Sequence, residues 1–524
     1  MYKAKARYEE LCTKRHQYLE RARDSSALTL SDVFPYQGQN SSQRLINPYN
    51  SVAARGVNHL TAKLSLILLP PNSPFFRMAI EEKKLSELDN NPELKALITS
   101  GMAAIERRVM REIEFKAIRT YIETCLKHLI IGGNAMLYMS DDGGVRVFSL
   151  GQYVVQRDCS GNIIEIITEE SMAKEALPES IVATMSIEES KKKEFCLYTH
   201  VKRESKNKFY VYQCIDDIVV PDSEYTFKEA DLPYHPLRWS IVNGEDYGRG
   251  LVEQYFGDIL SLEGLAKAIV EGSAISSRCV GLIDPAGTTE PSDLNNAVNG
   301  EFVVGRQGDV SFLQVGKNAD LNVAQVTVES ITRRVEAAFL LNNTRDAERV
   351  TAEEVRLVAN ELETTLGGVY ALLSQTLQQP LVRSLIRQLQ KSGDIAKFPN
   401  NLKKYIQPTV ITGISALGRN SDIEKLRTFI ALGAQMLGPQ EMVRRINPTT
   451  LLQTLATAVG IDLVDIFKSE QQMAQEDADA KQAAINQALI DKGTAPSINA
   501  IGNNLNQNPQ LINQILQRGI PNAG

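Results

Sequence analysis

Two apolar helical stretches decide the fold: residues 256–278, FGDILSLEGLAKAIVEGSAISSR, and residues 320–341, DLNVAQVTVESITRRVEAAFLL. Apolar side chains recur in both at the three- and four-residue spacing of one helix face: Leu262, Leu265, Ile269 and Val328, Ile331, Val335. The second stretch is long enough to form a helix of roughly 33 Å. We therefore predict two helices, within 245–278 and 319–341, that pack through these six side chains.

The residues between the two helices, 279–318, have a different pattern. The turn Asp284-Pro285-Ala286-Gly287 interrupts them. Short runs of β-branched and aromatic residues lie around this turn: Val280–Ile283, Phe302–Val304 and Val310–Val315. The pattern predicts a compact β insert between the two helices.

A short polar link, residues 342–349, follows the second helix. The longest helical stretch of the chain then begins at Val350 and extends over 350–408. Thr351 and Glu354 have the spacing of a capping box, which specifies where this helix starts.

Two features are expected to bend this long helix. Gly367-Gly368 lies inside it and predicts a bend, and Pro380 predicts a second break or kink. Beyond Pro408 we predict helix again over 409–470. The last residues, 471–524, are rich in Gln, Asn and Ala. Their first part can form helix, and their end is predicted to be loosely held.

The N-terminal region, residues 1–244, mixes both kinds of pattern. Helical spacing is found in Tyr2–Arg23, Val52–Leu69 and, as two helices, in Pro92–Ile131. Strand patterns separated by Gly and Asn turns follow: Ala135–Met139, Val145–Phe148, Tyr153–Arg157, Ile163–Thr168, Phe195–Lys202 and Lys208–Ile215. The fold class we predict is α+β, mainly helical.

The overall charge argues against tight nucleic-acid binding. The 524 residues carry a formal net charge of −6, whereas a protein that grips DNA through its phosphates usually has a basic face. The charged start Lys3, Lys5, Arg7 predicts no signal peptide, and the apolar run near Leu64–Leu69 is too short for a membrane span. We expect a protein made and used in a cytosol, with no membrane partner.

No known catalytic motif is present. Gly316-Lys317 lacks the other residues of a phosphate-binding loop, since Ser311 and Asn318 stand at the required Gly and Ser/Thr positions. The six cysteines form no C-x-x-C pair, and the five histidines are scattered. We therefore predict no catalytic residue, no metal ligand and no cofactor, and expect the thiols to be reduced.

The ordered set of elements resembles the portal, or head-to-tail connector, proteins of short-tailed double-stranded-DNA bacteriophages. The stretches that carry the resemblance are spread over residues 1–470: Ala54–Asn58, Tyr153–Asp158, Asp246–Gly250, Asp284–Gly287, Ser311–Gln314, Val350–Arg356 and Leu366–Tyr370. Each stretch is weak alone, but their common order is specific. The tail departs most from the family pattern.

The resemblance implies a portal fold whose subunits form a ring of twelve at one capsid vertex. It implies that 245–278 and 319–341 are stem helices that line a channel and that 279–318 is the clip, with Asp284, Pro285, Phe302, Phe312 and Leu313. It also implies an N-terminal wing (1–244), a bent wing helix (350–408) and a crown (409–470). The DNA-facing tunnel loop would be 342–349, with Asn342, Asn343, Thr344, Arg345, Asp346 and Arg349.

The same resemblance implies a set of partners and a location. The partners are other copies of this chain, double-stranded DNA in the channel, the terminase packaging motor, scaffolding and major capsid proteins, the tail adaptor protein and internal core proteins. The location is the portal vertex of the virion, and the host cytoplasm during assembly.

Two other functions remain open from the residues alone. A DNA-processing enzyme subunit predicts metal- or ATP-dependent activity, which the missing motifs disfavour. A cytosolic scaffold or adaptor predicts a monomer or small oligomer. Within the proposed tunnel loop, Arg345 and Arg349 either contact the DNA backbone and resist back-slipping or pair with Asp346 and Glu348.

Overall fold

The computed structural model describes a defined part of the chain: residues 4–36, 45, 47–71, 74–79, 92–177, 194–215, 218–276, 280–313, 318–341, 366, 368–395, 409–412, 428–433, 435–436, 438, 441 and 482–483. The chain divides into two compact units, residues 1–425 and 426–524. All elements named below belong to the first unit.

The described helices and strands follow one another in a mixed order. The helices are α1 (Ala4–Ala27), α2 (Val52–Leu68), α3 (Pro92–Phe115), α4 (Ile118–Gly132), α5 (Leu251–Gln254), α6 (Phe256–Ser276), α7 (Pro291–Asn296), α8 (Asn318–Ala338), α9 (Val369–Leu373) and α10 (Gln379–Ser392). The strands are β1 (Phe76–Ala79), β2 (Asn134–Met139), β3 (Val145–Phe148), β4 (Tyr153–Arg157), β5 (Ile163–Ala173), β6 (Glu194–Ser205), β7 (Lys208–Ile215), β8 (Ile218–Val219), β9 (Tyr225–Lys228), β10 (Tyr234–Arg238), β11 (Val280–Ile283), β12 (Val310–Leu313) and β13 (Thr409–Thr412).

The strands form antiparallel sheets of different size. The largest sheet has the order β4-β5-β6-β7-β8, and β9 also pairs with β7. A three-stranded sheet has the order β10-β2-β3, while β11 pairs with β12 and β1 with β13. The strands predicted between Ala135 and Thr168, and the hairpin of Phe195–Lys202 with Lys208–Ile215, are confirmed. The mixed α+β class is confirmed with them.

Helix α4 shows why the main core forms where it does. Its buried side chains recur at helical spacing: Ile118, Ile122, Cys125, Leu126 and Leu129. The helix ends where Gly133 adopts a left-handed conformation, φ 72°, and donates its N–H to the Leu129 carbonyl over 2.9 Å. The chain then turns directly into β2, so α4 and the three-stranded sheet share one core.

Helix α1 packs on the largest sheet through a small core and a buried polar network. In the network, Glu165 on β5 accepts hydrogen bonds from Arg7 Nε (3.0 Å) and His200 Nε2 (2.5 Å). His200 Nδ1 lies 2.6 Å from the Tyr212 hydroxyl. Burial alone would raise the pKa of Glu165, but the His200 and Arg7 contacts outweigh it and lower that pKa.

We expect Glu165→Gln to lower the free energy of unfolding by about 1.5–3 kcal/mol at pH 7, since hydrogen bonds to a charged acceptor are lost. A lowered folded-state pKa stabilises the protein above the unfolded value of about 4.3. The difference between wild type and variant should therefore shrink as pH falls from about 4.3 through the lower folded pKa. Urea unfolding across pH measures it.

The control is Glu10→Gln, because Glu10 is exposed and pairs with the same Arg7 over 2.7 Å. An exposed pair contributes only about 0–1 kcal/mol. A loss as large for Glu10→Gln as for Glu165→Gln would contradict a specific role of the buried network.

Several sequence predictions need correction. Residues 245–250 are not helical, since Gly248 and Gly250 make close backbone contacts there, and helix begins at Leu251. Phe302–Val304 belongs to no strand; the two strands of the insert, β11 and β12, pair with each other. Residues 409–412, predicted as the start of a helical crown, form β13, which pairs with β1 at Phe76–Ala79.

The long helix is described only from its later part. Gly368, with φ 88°, precedes α9, and a π-helical turn at Ser374–Gln378 connects α9 to α10. Pro380 lies in the first turn of α10, directly after this π-helical turn, so the helix is irregular where Pro380 predicted a break or kink. Residues 350–365 and 396–408 lie outside the described residues. Within the part of the chain that is described, no helix has the length and apolarity to cross a membrane.

Candidate functional site

Helices α6 and α8 pack against each other and form a helical pair, the first part of the candidate site. Arg334 Nη2 on α8 lies 2.9 Å from Asp258 Oδ1 on α6. Of the six side chains predicted to pack these helices, Leu262, Ile331 and Val335 are buried, while Leu265, Ile269 and Val328 are half-buried. Five of them contribute to the main core: Leu262, Ile331 and Val335 are part of it, and Leu265 and Val328 pack against it.

Apolar side chains are also exposed on the helical pair. On α8, Val323 and Val326 are both 68% exposed, and on α6, Leu260, Val270 and Ile275 are between 51% and 56% exposed. At 100° per residue, Val326 lies on the side of α8 opposite Ile331 and Val335, and Val323 lies about 60° around the helix from Val326. The pair thus has apolar groups on outer faces that are exposed in the described part of the subunit.

The sequence contained a signal for these outer residues that the prediction missed. Val323 and Val326 continue at three- and four-residue steps to Ser330, Arg333 and Ala337, a second stripe on α8. Assigning only one apolar stripe to each helix hid this second face.

The base of the helical pair is held by close backbone contacts of glycines. A Cβ at Gly133 would lie 2.4 Å from the Arg249 carbonyl carbon, and one at Gly250 would lie 2.4 Å from the Ile131 oxygen. The Asn134 side-chain amide donates to the Gly248 carbonyl (2.8 Å), and its oxygen accepts the Gly248 N–H (2.7 Å). These contacts fix the start of α5 and α6 against the end of α4.

Two of the family-like stretches meet at this same base. Asp246 Oδ1 accepts the Arg157 N–H over 2.7 Å, and the Tyr247 hydroxyl accepts the Val155 N–H over 3.1 Å. Burial, followed by the charge of Arg238, lowers the pKa of Arg157 to about 10. The stretch 246–250 therefore joins the helical pair to strand β4.

A second set of contacts joins the helical pair to helix α2 and the segment before it. A Cβ at Gly56 would lie 2.6 Å from the Phe339 ring, so that ring packs directly on the α2 backbone. Glu263 on α6 accepts the backbone N–H groups of Tyr49 (2.7 Å) and Asn50 (2.9 Å). The helical pair is thus anchored at its base and along one side.

The insert, residues 280–313, is the second part of the candidate site, and Asp309 organises it. Asp309 Oδ2 accepts the Thr288 N–H (2.8 Å) and the Thr289 hydroxyl (3.1 Å), and the Asp309 carbonyl accepts the Asp284 N–H (2.9 Å). These hydrogen bonds, the Thr288 N–H first, lower the pKa of Asp309. A Cβ at Gly287 would lie 2.6 Å from Asp309 Cγ, so the turn closes tightly on this carboxylate.

The predicted clip residues occupy different positions in the insert. Asp284 and Pro285 lie in the exposed turn that follows β11. Phe302 is fully exposed, at 101%. Phe312 and Leu313 lie on β12, opposite Gly281 and Val280 of β11. The predicted tunnel-loop residues, 342–349, lie outside the described residues.

A cavity of about 750 Å³ opens beside the base of the helical pair. Its lining is mostly apolar and includes Trp239, Leu251 and Leu372. Its one charged group, Arg334, is already paired with Asp258. In the described ranges, no cluster of three or more His, Cys, Asp or Glu side chains is placed to hold a metal ion.

Known proteins are similar to the chain over nearly its whole length. It is 39% identical to the portal protein of Enterobacteria phage T3, over 94% of this chain and 93% of the relative. Identity to the portal protein of Escherichia phage T7 is 38%, over 94% of both chains, and to that of Enterobacteria phage SP6 it is 32%, over 94% of both.

One solved structure is similar at a low level. The neck of an empty GTA particle matches with a TM-score of 0.33 and 12% identity, over 69% of this chain and 91% of that chain. No conclusion is based on this likeness.

The family comparison covers both parts of the candidate site. The model of the bacteriophage head to tail connecting protein family matches residues 2–466, which include the helical pair and the insert. The chain therefore belongs to the bacteriophage head to tail connecting protein family.

Proposed function

We propose that this structural connector subunit closes with further copies into a ring, around a channel through which double-stranded DNA enters and leaves a capsid. The observation that carries the ring is the pair of uncovered apolar faces on α6 and α8. A head-to-tail ring requires two different, complementary faces on each subunit. Two such faces are available. One is the outer face of α8, with Val323 and Val326, and the other is the outer face of α6, with Leu260.

The energetics favour burial of these faces in an assembly. Surface side chains that are apolar and contiguous usually mark an interaction site in a soluble protein. Burying one valine contributes roughly 1.5–3 kcal/mol. Each interface of a ring repeats this gain in free energy. Contacts that are weak individually therefore stabilise the closed particle together.

The family assignments are carried over as part of this proposal. The helical pair corresponds to the stem and the insert to the clip, while the elements before residue 245 and helices α9 and α10 correspond to the wing. The tunnel loop (342–349) and nearly all of the crown (409–470) lie outside the described residues. Capsid proteins would meet the wing side of the ring, and the motor and tail proteins its clip end.

The charge of the chain suits a conduit that DNA does not bind tightly. At −6 per subunit, twelve copies carry about −72, which repels phosphates overall. Arg345 and Arg349 are the proposed exceptions, as contacts that resist back-slipping. A passive role without enzymatic activity is part of this proposal.

The mass of the purified chain tests the ring. We expect a particle of about 700 kDa, twelve copies of 58.1 kDa, with a central opening in negative-stain images. A stable monomer or small oligomer at high concentration would instead support the scaffold alternative. Metal- or ATP-dependent DNA cleavage by the purified chain would support an enzyme. Either result would overturn the proposal.

A further inference from the structure

The second half of helix α10 is held against the three-stranded sheet by ion pairs. Arg387 Nη2 lies 2.9 Å from Asp141 Oδ1 in the turn between β2 and β3, and Arg387 Nη1 lies 3.5 Å from Asp231 Oδ1 just before β10. Lys391 Nζ lies 3.6 Å from Asp141 Oδ2. We call these four residues the α10 clasp. Because β2 and β10 run antiparallel, both aspartates lie at the same end of the sheet.

The central pair of the α10 clasp is shielded from water. Neither Arg387 Nη2 nor Asp141 Oδ1 is in contact with solvent. Charges interact more strongly away from water, so this pair is sensitive to any further charge placed beside it. The clasp as built is balanced, with two basic and two acidic side chains.

His235 lies on β10 next to the α10 clasp, opposite Leu137 of β2. Its Nε2 is shielded from solvent and has no hydrogen-bond partner among the described residues. Burial, followed by the positive charge of Arg387, lowers the pKa of His235 to about 4. The ring is therefore neutral at pH 7, and the site accommodates this form.

The charged groups around His235 come from three elements. Arg387 of α10 acts on the ring directly, while Asp231 of the 3-10 turn before β10 and Asp141 of the β2–β3 turn pair with Arg387. Strand β2 and the π-helical turn Ser374–Gln378, which also contacts β10, contain no charged residue. A proton on His235 would thus face a second cation, and both nearby carboxylates are already engaged with that cation.

We propose that His235 and the α10 clasp form a pH-sensitive lock on the end of α10, residues 387–392. The clasp holds this end of the helix while His235 is neutral, and proton uptake by His235 releases it from the sheet. The lock lies within one subunit, so it does not depend on the proposed ring.

The direction of the pH dependence follows from the two states of His235. In the released state the ring meets water and regains its ordinary pKa of 6.5, whereas in the locked state its pKa is about 4. The lock is therefore at full strength above about pH 6.5 and weakens as the pH falls toward about 4. For these two values, the released fraction should rise roughly twentyfold between pH 7 and pH 5.

Hydrogen–deuterium exchange of the full chain measures the released fraction. It is followed by mass spectrometry in peptides from residues 383–395 and corrected for the intrinsic pH dependence of exchange. We expect the rise in the wild type and no comparable rise in His235→Gln or His235→Phe, which lack a titratable ring. One replacement is polar and the other apolar, and their melting temperatures at pH 7 report the fold. A wild-type rise retained in either folded variant would overturn the proposal.

Two controls separate this lock from a general effect of acid. His16 is exposed on α1, so His16→Gln should keep the full rise. His128 on α4 has a pKa that burial also lowers to about 4, and the pH response of exchange in α4 should be the same in the His235 variants as in the wild type. No rise in the wild type, or an equal loss of the rise in α4 and α10, would contradict a lock specific to α10. A wild-type chain that shows the rise without assembling would overturn only the ring.

Discussion

Replacing Val323 and Val326 together by Asp is expected to abolish assembly, leaving the chain as folded single subunits. Each change removes a valine that the ring would bury, worth roughly 1.5–3 kcal/mol. It also places a carboxylate in an apolar contact, which costs several kcal/mol more. The combined effect weakens each interface on the order of a thousandfold or more.

Native mass spectrometry of the purified variant measures this effect, and its melting temperature reports the fold. Both valines are 68% exposed in the subunit, so the change should leave the fold intact. The matched control is Tyr225→Asp. Tyr225 is an exposed aromatic residue on β9, outside the helical pair. Rings of wild-type mass from the double variant would refute an interface through this face of α8.

Gly133→Ala is expected to destabilise the folded subunit by roughly 2–5 kcal/mol. The left-handed conformation at φ 72° costs a residue with a Cβ about 1–2 kcal/mol. The new Cβ would also lie 2.4 Å from backbone atoms of Arg249 and Gly250, and overpacking costs about 1–3 kcal/mol. Because the obstacle is backbone, no side-chain rotation relieves it.

Urea unfolding of the variant measures the loss, and a second glycine separates its two causes. Gly244 has a similar φ of 81°, but nothing lies within 4 Å of a Cβ there. Gly244→Ala should therefore show the conformational cost alone, about 1–2 kcal/mol. If both variants lose the same stability, the close approach of residues 133 and 249–250 does not hold the base of the helical pair.

Local periodicity explains why much of the fold was predictable. The strands between Ala135 and Thr168 are short runs rich in β-branched and aromatic residues between Gly and Asn turns. Helix α8 has its apolar stripe at helical spacing. Both signals depend only on neighbouring residues. The helices and strands of the first half of the chain could thus be placed before the structure was known.

The errors arose where distant residues decide the outcome. Thr409–Thr412 has a β-rich composition, but its strand exists because Phe76–Ala79 pairs with it. Residues 245–250 stay non-helical because Gly248 and Gly250 contact the end of α4, more than a hundred residues earlier. Phe302–Val304 has the residues of a strand, yet in the described insert β11 and β12 pair only with each other. Sequence spacing alone contains none of these contacts.

The candidate site was likewise predictable only where neighbouring residues decide the structure. The apolar stripes of α6 and α8 predicted their buried residues. The change from helical to strand spacing of the apolar residues predicted the insert between them. The three-residue spacing of Val323 and Val326 was present in the sequence, but the exposure of this face of α8 depends on which faces the rest of the fold covers. Burial is a property of the whole fold, so one sequence does not reveal it.

The pairing of β1 with β13 also constrains when the subunit is completed during its synthesis. Residues 76–79 leave the ribosome more than three hundred residues before residues 409–412. At a synthesis rate of about 5–20 residues per second, β1 stays without its partner strand β13 for roughly 15–65 s. An unpaired edge attracts other strands, so a chain released early, or truncated before residue 409, should aggregate where the complete one folds.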